Sequence, residues 1–224
     1  MSRIRQHALS LFFGVIFVLA LAGQALAGFA VATDDRAAHG LPAMSFGRFL
    51  TSSDFVVDVA ENWQSEYLQF FLFIFATIWL VQKGSPESKR PGDEGIGSVR
   101  DQLVGRAATR DSPRWAKAGG WRAVIYSNSL LIVMGLIFLL SWWAQSVAGT
   151  VVFNQDQVDH GLAAVDWWAY VRSADFWNRT LQNWQSEFLA VGSMVALSVY
   201  LRQRGSAESK PVGAPHDKTS VSGE

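Results

Sequence analysis

Glu66 and Glu187 close two copies of the same five residues, Asn62-Trp63-Gln64-Ser65-Glu66 and Asn183-Trp184-Gln185-Ser186-Glu187. Each copy runs into an apolar stretch, so the two carboxylates stand at the edge of sequence suited to hydrocarbon. An ionisable group at such depth faces a protein interior or a wet cavity and is a functional candidate by default. Two facing carboxylates could share a proton, since repulsion and desolvation both raise the pKa, or hold a cation between them. Asn62, Gln64, Ser65, Asn183, Gln185 and Ser186 complete a candidate intramembrane polar site. On a helix, Asn62, Glu66 and Gln69 lie along one stripe, which Asn183 and Glu187 repeat. The plainer reading is that these groups only hydrogen-bond helix to helix. Trp63 and Trp184 read as interfacial anchors.

A second constellation, Asp35-x-x-x-His39-Gly40, recurs as Asp156-x-x-x-His160-Gly161. Two Asp and two His are ligand types of a tetrahedral zinc site. They also describe a helix end with an internal Asp–His pair and a glycine stop, and this second reading is the expected one. No metal and no cofactor are therefore expected. The chain has no sequence-local nucleophile motif, phosphate-binding glycine loop or zinc-protease pattern, so no enzymatic role is indicated. Cysteine is absent, which excludes disulfides and thiolate chemistry. A formal net charge of zero leaves no basic footprint for nucleic acid.

The elements that carry these residues follow from a duplication. At the offset that carries Trp63 onto Trp184, 121 residues, Gly14 meets Gly135, Gln24 meets Gln145 and Gly28 meets Gly149 without a gap. Gly84-Ser85-x-Glu87-Ser88-Lys89 likewise meets Gly205-Ser206-x-Glu208-Ser209-Lys210. Ala8 to Thr33 and Ala123 to Gln155 carry no charge, and either exceeds the roughly 20 residues that cross a bilayer. Arg3, Arg5 and Ala25-Leu26-Ala27 imitate a cleavable signal peptide. The recurrence of Gln24, Ala27 and Gly28 deep in the chain argues instead for a retained helix. The apolar runs after the pentapeptides are short, so each of those helices must begin upstream, with Asp54 and Asp175 as candidate caps and Gly84 and Gly205 as stops.

The reading is an all-α integral membrane protein with four transmembrane helices in two tandem parallel two-helix repeats. Repeat 1 covers residues 1–89, with helices at about 9–31 and 55–82; repeat 2 covers 122–210, with helices at about 124–148 and 176–202. Residues 90–121 form a cytoplasmic linker, and 211–224 a disordered cytoplasmic tail. Arg and Lys crowd the N-terminus, linker and tail, whereas the other connections are acidic, which puts both termini in the cytoplasm. Those outer connections have room for a short surface helix anchored by Phe46, Phe49, Trp167, Trp168 and Tyr170. Trp142 and Trp143 read as anchors at the outer end of the third helix.

The gapless duplication and the repeated Asn-Trp-Gln-Ser-Glu and Gly-Ser-x-Glu-Ser-Lys elements resemble a family of small bacterial membrane proteins known only as a domain of unknown function. The resemblance covers nearly the whole chain and implies a multi-pass protein of the bacterial plasma membrane, with no activity to carry over. The expected partners are the bilayer and a second copy or another membrane protein. The functional expectation is a small proton, cation or solute pathway or binding site at the repeat interface. The alternative is a non-catalytic envelope scaffold whose polar motifs only fix helix packing.

Overall fold

Where helices stop in this chain is decided by glycines and serines rather than by charge. The computed structural model describes residues 3–220, and among these the chain is all-helical, with nine α-helices, one 3-10 turn and no strand. Helix α1 (Arg3–Gln6) leads through His7 into α2 (Ala8–Ala38), then α3 (Phe46–Leu50) and α4 (Ser53–Trp79). A long connection holding the 3-10 turn Gly105–Ala107 and α5 (Arg114–Ala118) precedes α6 (Gly120–Ser127). Then come α7 (Ser129–Asp159), α8 (Trp167–Val171) and α9 (Ala174–Leu197). Helices α7 and α8 begin and end 121 residues after α2 and α3.

Two helices, α2 and α7, are long and apolar enough to cross a membrane. At 31 residues each they reach about 46 Å. Both run on through Asp34, Asp35 and Arg36, or Asp156 and Asp159, well past the expected ends near 31 and 148, because nothing stops them before a glycine. Gly40 (φ +65°) and Gly161 (φ +73°) take the left-handed conformation. This lets the N–H of Leu41 reach the carbonyl of Arg36, and that of Leu162 the carbonyl of Gln157, each at 2.8 Å. The closure satisfies end carbonyls that would otherwise lack partners. Trp142 and Trp143 thus lie inside α7 rather than at its outer end.

The caps of α4 and α9 also differ from expectation. Ser52 Oγ accepts the N–H of Phe55 at 3.4 Å, and Ser173 Oγ that of Phe176 at 3.2 Å. Asp54 and Asp175 sit in the first turn, where their charge suits the helix dipole. The helices end at Trp79 and Leu197, so Gly84 and Gly205 fall in the turns beyond (φ +91° and +82°). Both are less apolar over their lengths than α2 and α7, because Asp58, Glu61, Arg179 and the pentapeptides lie within them.

The chain divides into two compact units. One comprises the residues up to Ala60 together with Ala144–Val171. Here α3 and α8 fold back on α2 and α7. Phe49 is 4% exposed, and its ring lies where a Cβ on Gly28 would come within 2.9 Å. Tyr170 is fully buried, and a Cβ on Gly149 would come within 2.4 Å of its hydroxyl. These two aromatics are therefore inward props and not surface anchors; Phe46 and Trp168 keep exposed faces. Trp167 donates its indole N–H to Ser146 Oγ at 3.0 Å, which ties it inward too.

The other unit comprises Glu61–Trp143 and the chain from Arg172 onward. After α4 and α9 the repeated hexapeptides fold alike. Ser88 Oγ accepts from Gln82 N–H at 2.8 Å and donates to the carbonyl of Lys89 at 3.0 Å; Ser209 does the same with Gln203 at 2.9 Å and Lys210 at 3.1 Å. The tail expected to be disordered is instead fastened as far as Ser220, and residues 221–224 lie outside the described residues. Lys210 donates to the carbonyls of Pro215, His216 and Lys218, Gly84 N–H to Thr219 Oγ1 at 2.9 Å, and Ser220 N–H to the carbonyl of Ser85 at 3.2 Å. Backbone polar groups need partners, and these side chains supply them without regular structure.

Candidate functional site

The two pentapeptides come together, although not as mirror images. Trp184 donates its indole N–H to Gln64 Oε1 at 2.7 Å. One turn earlier Arg179 Nε bonds Glu61 Oε1 at 2.5 Å, a pair in which Glu61 is mostly buried. Asn183 Nδ2 reaches the carbonyl of Arg179 at 3.1 Å, so the second pentapeptide is tied to the residue that holds the ion pair.

Helix α4 buries Val57, Ala60, Gln64, Ser65 and Leu68, a spacing of one face. Asn62, Trp63 and Glu66 lie on its exposed side, so the stripe of Asn62 and Glu66 is not the inward one. Helix α9 turns the other way: Phe176 and Thr180 are buried, Asn183, Trp184 and Glu187 half-buried, and Gln185 and Ser186 exposed. Identical pentapeptides thus present different residues. Glu187 still lies within reach of the charge of Glu66. Ser65 and Ser186 spend their hydroxyls on the carbonyls of Asn62 and Asn183, each at 2.9 Å, within their own helices.

Trp184, expected as an interfacial anchor, is half-buried and packs against other aromatic rings. Its ring centroid lies 6.1 Å from that of Trp142, which also stacks on Phe138 at 5.7 Å and Phe176 at 6.1 Å and meets Trp177 edge-on at 6.0 Å. Trp63 is 39% exposed. Among the described residues of this unit, four buried polar atoms have no hydrogen-bond partner: Gln64 Nε2, Gln69 Oε1 and Trp142 Nε1 near the pentapeptides, and Arg202 Nε beyond α9. Each such group costs roughly 1–3 kcal/mol.

The Asp–His pairs resolve as helix ends. His39 Nδ1 faces the carbonyl of Asp35 at 2.9 Å and its carboxylate at 3.4 Å; His160 faces those of Asp156 at 2.8 and 3.4 Å. The Asp156 carbonyl, and then its charge, raise the pKa of His160. A metal needs the neutral imidazole, so this environment works against ligation. Among the described residues no group of three or more His, Asp or Glu could hold a metal ion.

One feature went unread in the sequence although its motif was plain. Glu87 and Glu208, the acids of the repeated hexapeptide, hydrogen-bond to each other. Burial first, then that bond and the charge of Glu208, push Glu87 up to about 7. Each glutamate borders a cavity, of about 440 Å³ beside Thr77, Gln82 and Glu87 and about 420 Å³ beside Ser198, Gln203 and Glu208. The ion pair had a signal too: Arg179 stands where the first half has Asp58, a reversal of charge inside the duplication.

The fold and site define an all-helical protein with two helices fit to cross a membrane and a tryptophan- and glutamine-centred polar cluster on the two that carry the pentapeptides. The chain belongs to the family described as a domain of unknown function (DUF6766), whose model matches residues 1–221. No curated protein and no solved structure matches the chain.

Proposed function

We propose that this is a multi-pass protein of the bacterial plasma membrane, with four crossings in two tandem parallel two-helix repeats and both termini in the cytoplasm. Its pentapeptides form a small pathway or binding site for a proton, cation or small solute at the repeat interface, without enzymatic chemistry. The membrane setting rests on exposure. Phe12, Phe13, Val15, Val18 and Leu19 on α2, and Leu136, Leu139 and Leu140 on α7, are each more than half exposed, more contiguous apolar surface than a soluble monomer leaves in water. The Arg- and Lys-rich linker and tail support the orientation, and the matched bounds of α2 with α7 and α3 with α8 support the duplication.

The observation that carries the site is the hydrogen bond of Trp184 to Gln64, which brings the second pentapeptide against the first with Glu66 and Glu187 nearby. The decisive experiment is ion and solute flux in proteoliposomes for the wild type and for Glu66→Gln combined with Glu187→Gln. Flux lost in the double variant supports the pathway; flux unchanged removes the glutamates from it. The rival scaffold reading draws on the same bond as packing glue. It predicts no flux and a reproducible partner after mild crosslinking.

A further inference from the structure

The amide of Gln64 has a forced orientation. An indole N–H only donates, so the Gln64 atom facing Trp184 at 2.7 Å is the carbonyl oxygen. The amide's Nε2 therefore points elsewhere, wholly buried and meeting no acceptor. Trp142, whose ring packs on Trp184, holds a second buried donor without an acceptor, Nε1. Further along α4, Gln69 Oε1 is a buried acceptor without a donor. The unmet hydrogen-bonding groups around the pentapeptides are thus two N–H groups and one oxygen.

This inventory suits some guests and not others. A dehydrated metal cation takes a shell of oxygens. Here the Gln64 oxygen is already engaged, the two N–H groups present positive ends to any cation, and the carboxylates of the pentapeptides lie outside this buried pocket of donors, Glu66 being exposed and Glu187 half-buried. A protonated water is disfavoured for the same reason. A neutral molecule with an accepting oxygen complements the two N–H groups that flank Trp184. We propose that the pentapeptide site takes a small neutral solute bearing a hydroxyl or carbonyl oxygen, selected by Gln64 Nε2 and Trp142 Nε1, and not a metal cation.

This inference rests on the pathway reading above, and the test separates the two. Glycerol, urea and potassium flux would be measured in proteoliposomes for the wild type and Gln64→Leu, a swap of similar size suited to the buried position. In parallel, the indole N–H resonance of Trp142 would be followed in ¹⁵N-tryptophan-labelled protein as glycerol or urea is added. The expected result is glycerol or urea flux several-fold above empty vesicles, lost in Gln64→Leu, with a Trp142 resonance that shifts in the wild type only. If Gln64→Leu does not fold, wild-type flux selectivity and the wild-type shift still decide. Potassium flux with a motionless Trp142 resonance overturns the inference and keeps the pathway. A shift without flux of any probe keeps the binding site and sinks the pathway. Neither flux nor shift overturns both.

Discussion

Replacing Glu87 with glutamine should flatten a pH dependence that the wild type shows. In the folded chain burial and Glu208 raise the Glu87 pKa from 4.5 to about 7; unfolding restores the ordinary value. Between those two values the folded chain holds a proton that the unfolded chain has released. The stability so conferred is fully present below about 4.5 and is lost as pH rises through about 7. At about 1.4 kcal/mol per pH unit the whole difference is worth at most about 3.5 kcal/mol. Glu208 is exposed and Glu87 partly so, and solvent screening reduces this to roughly 1 kcal/mol. For a chain of this size ~1 kcal/mol is about 2–4 °C in melting temperature. Thermal unfolding in mild detergent between pH 5 and 8 should therefore show the wild type losing a few degrees more than Glu87→Gln, which keeps a hydrogen bond to Glu208 but cannot titrate. The difference between the two profiles is the quantity to read. Parallel profiles would refute a proton shared by Glu87 and Glu208.

Two further substitutions probe the packing. Gly149→Ala places a methyl 2.4 Å from the Tyr170 hydroxyl and should destabilise by about 1–3 kcal/mol. Gly28→Ala, which meets only a ring edge at 2.9 Å, should cost less, and Tyr170→Phe should partly rescue Gly149→Ala; equal melting temperatures for the two alanine variants would argue against the close approach. Glu61→Gln removes the charge that Arg179 meets at 2.5 Å and should lower stability by about 2 kcal/mol, below the 3–5 kcal/mol of a fully buried pair because Arg179 stays partly exposed. The check is a double-mutant cycle with Arg179→Met, and a coupling near zero would show the pair to be incidental.

How far the chain could be read depended on the range of the interaction involved. The helices of α2 and α7 were legible because an uncharged run longer than a bilayer's thickness is a property of consecutive residues. Their ends were less legible, because both helices run on through charged residues to the left-handed glycines at 40 and 161. The Asp–His–Gly pairs were legible as helix ends for the same local reason. The tail was read as disordered from its composition, yet Thr219 and Ser220 find partners at Gly84 and Ser85, far away in the chain.

The candidate site divides the same way. That Asn-Trp-Gln-Ser-Glu mattered, and that both copies would be helical, followed from sequence identity and local propensity alone. Which residue of each copy turns inward did not, because identical segments have identical propensities. Only their surroundings break the tie: Gln64 faces inward on α4 while Gln185 is exposed on α9, and Trp184 spends its N–H on Gln64. The sequence by itself determined the helices, their apolar lengths and the repetition of the polar motifs, since these depend on neighbours within a few residues. The tertiary structure alone decided that the copies play unequal parts, since that depends on contacts about 120 residues apart, whose geometry no local periodicity encodes.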